Sequence, residues 1–287
     1  MANKIACGIA GWSYPDWEGY VYPSGKIKSS FDRLQFIALY VDVIEINNTF
    51  YRPPDRKSVE SWLRRVKDYS DFFFTAKLHQ SITHQYIIEP GVVKAIRDSF
   101  QPMVEAGKLK HLLAQFKYDY VDCLKHREYL QKVCDNFQNF VNLTFELRHN
   151  SWQSPGAIEF LNSLGISLAN IDCPLSRTSF NLRVSPVGKH AYFRLHGRNR
   201  TAWFNPKAGR DEVYNYLYST KEIDEIVQRI SEIAARSESL TVIANNHYQG
   251  KEIVNALQIK AMITGRKVLV PDTLLQKYPV LKQIALC

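Results

Sequence analysis

Charged residues interrupt several apolar runs in a two-residue rhythm, and that rhythm decides which of them can meet. In Val43-Ile44-Glu45-Ile46-Asn47 the isoleucines share one face of an extended chain, while Glu45 and Asn47 share the other. Thr144-Phe145-Glu146-Leu147-Arg148 repeats the arrangement, with Glu146 and Arg148 opposite Phe145 and Leu147. Tyr192-Phe193-Arg194-Leu195-His196 sets Arg194 beside His196. Lys77 stands opposite the face of Phe72, Phe74 and Ala76; Leu113 shares a face with Gln115, and Asn170 with Asp172. Asn245, Asn246 and His247 close the last run. Two carboxylates near a lysine suit acid–base work, because the cation holds one ionised while burial keeps another protonated. Glu45, Lys77, Glu146 and His196 are therefore the catalytic candidates. Arg148, Arg194 and Arg198 offer paired guanidinium donors to a carboxylate or phosphate. His196 and His247 are the residue type that moves protons near neutral pH. Trp12, Tyr14, Tyr51 and Trp203 offer faces to a ring, and Asn47, Asp172 and Asn246 complete the binding candidates.

The elements that must position these residues are short apolar runs near 4–10, 41–47, 72–78, 110–116, 142–148, 166–172, 190–196 and 240–246. They are rich in Val, Ile, Phe and Leu and short enough for strands. Helix-period segments lie between them. Ile223, Ile226, Val227, Ile230, Ile233 and Ala234 fall at three- and four-residue steps over 222–236, as do Val92, Val93, Ile96, Phe100, Met103 and Val104 over 92–106. Ser154 before Pro155 is a helix start, a capping hydroxyl followed by a residue suited to the first turn. Strands alternating with helices pair in parallel, and eight of them predict a (β/α)₈ TIM-type barrel. Residues 173–189 carry no helical face, so the barrel is expected to be irregular between strands 6 and 7. The segment 197–221 is long for a connection and holds Trp203, Phe204, Tyr214, Tyr216 and Tyr218, which reads as a functional or mobile loop. A single domain over 1–287 is expected, with its active site at the C-terminal ends of the strands.

A plainer reading stands beside the functional one. Charges inside a barrel are costly unless paired, and Glu45, Glu146 and Asp172 can pair with Lys77, Arg148 and Arg194 as a self-satisfied plug. Apolar layers would fill the barrel more cheaply, which favours function for the set as a whole. Each aromatic residue reads equally as ordinary packing.

Composition bounds the partners. The 287 residues are 45% hydrophobic, carry a formal charge of +9 and have a pI near 9.2. A basic balance suits a solvated surface, an anionic small molecule or nucleic acid, and the densest basic cluster is Arg194, Arg198 and Arg200 around His196. Five cysteines, at 7, 123, 134, 173 and 287, include no C-x-x-C pair, and Cys7 reads as core. The N-terminus lacks a signal core and no apolar stretch reaches membrane length, so a cytoplasmic protein is expected. There is no H-E-x-x-H, G-x-S-x-G, Walker loop or dinucleotide fingerprint. No metal and no cofactor is expected, since the neighbouring Lys and Arg would repel a cation.

Several separated segments resemble the YecE-like family, a group of barrel proteins classed as a domain of unknown function. They are Gly8-Ile9-Ala10-Gly11-Trp12-Ser13-Tyr14 with Trp17 and Tyr22-Pro23; Val43 through Tyr51; Lys77 with Ile82-Thr83-His84; Glu146 through Trp152; Tyr192 through Arg198; and Asn245-Asn246-His247 with Gly250 and Asn255-Ala256. The resemblance runs from residue 5 to about 264 and implies a TIM-type barrel; it implies no reaction. Lys117-Tyr118 stand where that family commonly has prolines, and Ala244 where an aromatic is common.

Three functions remain open on sequence. One is an enzyme, a hydrolase or isomerase, acting on a small anionic or sugar-like substrate. Another is a nucleic-acid protein using the Arg194–Arg200 region, whose binding would weaken steeply with salt. The last is a ligand-binding protein without chemistry, in which glutamine at 45 and 146 would weaken binding but cost no turnover. The oligomeric state is not legible.

Overall fold

A computed structural model describes residues 4–25, 31–137 and 139–286. Met1–Asn3, which enter the reading of the N-terminus, and Cys287, one of the five cysteines, lie outside them.

Among the described residues, nine parallel strand segments form one sheet: β1 (Lys4–Ala10), β2 (Val43–Ile46), β3 (Phe73–Lys77), β4 (Leu109–Gln115), β5 (Asn142–Glu146), β6 (Ser167–Leu168), β7 (Asn170–Asp172), β8 (His190–Leu195) and β9 (Ser239–Ala244). Their order is β6-β5-β4-β3-β2-β1-β9-β8-β7. β6 and β7 are the two halves of one extended run. The first half bonds to β5 and the second to β8, so the sixth expected strand is the seam of the barrel. The irregular crossover expected after it is present, as residues 173–189 contain no helix. The structure is thus a nearly closed TIM-type barrel.

Strand alternation sorts the side chains as the sequence implied. Ile44 and Ile46, Phe72, Phe74 and Ala76, Leu112 and Ala114, and Phe145 and Leu147 pack outward against the helices in the largest buried cluster. Phe193, Leu195, Leu240 and Val242 join Ile223, Ile226, Ile230 and Ile233 of the helix Thr220–Ala234 in a second. That helix starts on a capping box, with Ser219 and Glu222 exchanging side chain for backbone. Pro90–Glu105 is helical as expected, and Ser154 Oγ accepts from Ala157 N at the start of Pro155–Ser163. Inside the barrel Ala6, Ala10, Val43, Phe73, Leu113, Ala169, Tyr192 and Ile243 form an apolar filling. Gly8 is required here, because a Cβ at that position would lie 1.8 Å from Val43 O across the β1–β2 ladder. Cys7 is buried on the helix-facing side, as its core reading expected.

Among the described residues, no helix is long and apolar enough to cross a membrane.

Candidate functional site

Above the apolar filling, towards the C-terminal ends of the strands, the interior turns ionic. Arg194 is fully buried, and its two terminal nitrogens reach Glu45 Oε1 at 2.7 Å and Glu146 Oε2. Glu45 Oε2 accepts from Tyr192 Oη at 2.9 Å, and Tyr192 in turn meets Thr75 Oγ1 at 2.7 Å. Glu146 Oε1 accepts from Gln115 and from Arg148 Nε at 2.8 Å. Lys77 Nζ donates to Gln115 Oε1 at 2.7 Å. Both glutamates are wholly buried and every one of their oxygens is engaged. The expected ion pairing is corrected in two places. Lys77 bonds to an amide rather than to a carboxylate, and Asp172 pairs elsewhere.

Over this floor opens a cavity of about 590 Å³. Lys77, Arg148, Arg194 and Arg210 line it, and no carboxylate is among its described lining residues. The carboxylates lie beneath or outside it, where they hold the cations. Arg148 uses Nε and one terminal nitrogen on Glu146, while its guanidinium lies 5.6 Å from the Trp203 ring. Lys77 Nζ stands 4.7 Å from the Phe50 ring. Trp12, Tyr14, Asn47, Tyr51 and His247, binding candidates on sequence, also line the cavity.

Asp172, Arg198 and Asn246 do not line it, and Trp203 sits under Arg148 rather than on the wall. Arg198 forms a bidentate pair with Asp172 at 2.9 and 2.7 Å, and Tyr218 Oη donates to the same Asp172 at 2.8 Å. Asn246 Nδ2 donates to Tyr216 O at 2.7 Å and to Asn255 Oδ1 at 2.8 Å. These residues anchor the long segment 197–221, which in turn carries Arg210 and Tyr214 to the cavity. Gly197 opens that segment at φ +85°, where a Cβ would meet Tyr216 Cβ at 2.8 Å. The basic cluster read from sequence is also dispersed. Arg194 is inside the barrel, Arg198 is paired with Asp172 and Glu222, and Arg200 is at the surface on Leu175 O.

Burial sets the protonation states. Desolvation, with Arg194 close by, pulls the Lys77 ammonium down to about 8 against the opposing pull of Glu45 and Glu146. Burial pushes His196 and His247 to about 4, so both rings are neutral at pH 7 and neither titrates near neutrality as the sequence had implied. Glu146 is held well below the usual carboxylate range by Arg194 and Arg148, which outweigh its burial. Glu252 goes the other way. It is wholly buried at the start of the helix Lys251–Thr264, contacts Ala10 N at 3.4 Å, and burial lifts its carboxyl well above the usual range.

Sequence reasoning missed Arg210 and Glu252 here. Arg210 lies in the segment 197–221, flagged for its length and its aromatic residues, Tyr214 among them, and Glu252 looks like an ordinary first-turn carboxylate. No group of three His, Cys, Asp or Glu able to hold a metal occurs among the described residues. The strand-end carboxylates are already engaged: Glu45 and Glu146 are occupied by guanidinium, and Asp172 lies with Arg198.

A nearly closed parallel barrel with a polar cavity at its strand ends defines this as a TIM-type barrel protein. The profile of the family described as "Protein of unknown function DUF72" matches residues 6–277, and the chain belongs to that family. The YecE-like resemblance carried by the motifs is thereby borne out. The UPF0759 protein YunF of Bacillus subtilis is 25% identical over 275 residues, spanning 90% of this chain and 94% of that protein. A crystal structure of a DUF72 family protein from Thermotoga maritima is 32% identical, with a TM-score of 0.78 over 91% of this chain and 100% of that one. One from Enterococcus faecalis is 24% identical, with a TM-score of 0.75 over 91% and 95%.

Proposed function

We propose that this protein is an enzyme acting on a small anionic substrate, with Lys77 moving the proton. The observation that carries the reading is a cavity lined by Lys77, Arg148, Arg194 and Arg210 with no carboxylate among its described lining residues. Such a wall favours a carboxylate or phosphate and disfavours a cation. A lysine lowered to about 8 is roughly one-tenth neutral at pH 7, enough to accept a proton and return it. Arg194 Nε is a buried donor without a partner among the described residues, on a side chain that lines the cavity. A donor so placed stabilises negative charge that develops on a substrate oxygen. The reaction class that uses these parts is proton abstraction beside a carbonyl, as in an isomerase. Glu45 and Glu146 then hold Arg194 and Arg148 in position rather than exchanging protons.

The test is carbon–hydrogen exchange of carbonyl-bearing carboxylates and phosphates in D₂O, followed by NMR, together with titration of inorganic phosphate. Exchange that disappears in Lys77→Met while phosphate still binds supports the reading. Exchange that survives in Lys77→Met, or that no compound shows, overturns it; binding without exchange points to a ligand-binding protein.

A further inference from the structure

The cavity has a second, neutral pole. His247 stacks on Tyr14 with ring centroids 4.5 Å apart and planes 2° from parallel, and the Tyr214 ring lies 5.2 Å away. His247 is 3% exposed, and neither of its ring nitrogens has a hydrogen-bond partner among the described residues. Asn47 Oδ1 is likewise buried and unpartnered. Buried polar atoms in folded proteins are nearly always paired, so three open ones on a cavity wall mark positions a guest fills. Their chemistry narrows the guest. A neutral imidazole presents one donor and one acceptor, and Asn47 Oδ1 only accepts. Tyr14 covers a face of the imidazole, which leaves its edge for hydrogen bonding. A carboxylate or fully ionised phosphate there would offer acceptors alone and leave Asn47 Oδ1 unmet. Hydroxyl groups, which both donate and accept, satisfy all three atoms. Arg210 lies over Tyr14 at 5.9 Å but meets Asp211 at 3.1 Å, so the unmatched positive charge stays at the Lys77–Arg148 end.

We infer that the ligand is a sugar phosphate or sugar acid held lengthwise, its anion at Arg148 and adjacent hydroxyls at His247 and Asn47. A cavity of about 590 Å³ accommodates such a molecule of five or six carbons. This rests on the anionic-substrate reading above and adds the substrate class and its orientation.

Calorimetric titration of the intact protein with inorganic phosphate, phenyl phosphate, ribose 5-phosphate and glucose 6-phosphate tests it. At least one sugar phosphate is expected to bind about 100-fold tighter than phenyl phosphate, which carries the anion without hydroxyls. His247→Phe keeps the stack on Tyr14 and removes the edge; it should shrink that preference to within about tenfold and leave phosphate affinity unchanged. Asn47→Leu should act in the same direction and serves as the second variant. Phenyl phosphate binding as tightly as both sugar phosphates, or a preference that survives both substitutions, overturns the inference while the anionic reading stands. Failure of all four anions to bind overturns both.

Discussion

Arg194 on β8 and Glu45 on β2, 149 residues apart in sequence, meet at 2.7 Å in the buried interior of the barrel. The same guanidinium holds Glu146 on β5, so one cation ties three strands together beneath the cavity. Its removal leaves two buried carboxylates short of countercharge. Arg194→Met is expected to lower the free energy of unfolding by about 3–5 kcal/mol. Urea titration followed by circular dichroism measures this, and a loss below about 1 kcal/mol would show that the pairing contributes little.

Buried histidines, His196 and His247 among them, contribute to the acid limb of stability. His196 and His247 have folded-state values near 4, below the ordinary 6.5. The unfolded chain therefore takes up protons first as the pH falls. The stability these rings contribute is present above about pH 6.5 and is lost between there and pH 4, on the order of 3 kcal/mol for His196. Melting temperature should fall over that window in the wild type, and less steeply in His196→Gln. Parallel curves would mean that His196 does not govern it.

Glu252 has the opposite sign. Its folded-state value is raised by burial, so the carboxyl is neutral in both states at low pH. Once the pH passes the ordinary carboxylate range, only the unfolded chain ionises, and stability declines until the folded value is reached. Glu252→Gln should match the wild type near pH 4 and melt higher than it at pH 8. A variant less stable at pH 8 would show that Glu252 is folded in its charged form.

Lys77 is expected to react as an amine of pKa about 8. Competitive acetylation across pH 6–11, read by mass spectrometry, separates it from surface lysines near 10.4. A Lys77 that titrates with the surface set would remove the proposed base.

The Asp172–Arg198 pair anchors the segment that brings Arg210 and Tyr214 to the cavity. Asp172→Asn should speed amide hydrogen exchange across 199–218 by about tenfold or more, while the strands stay protected. Unchanged exchange would place the anchor elsewhere, with Asn246 as the next residue to alter.

Much of this architecture is dictated by periodicity. Isoleucines 44 and 46 against Glu45, or Phe145 and Leu147 against Glu146, follow from the strict alternation of an extended chain. That local rule placed the strands, their outward faces and the inward charges, and the motifs named the family. It could not choose partners. Asp172 and Arg198 share a polar strand-end character with Glu146 and Arg148, yet the first pair braces a loop and the second meets in the floor. Nor could it foresee Glu252, whose protonation follows from being enclosed beside Ala10, or the open edge of His247. Pairing and pKa depend on distances and desolvation summed over segments far apart in the chain, and only the closed barrel sets those.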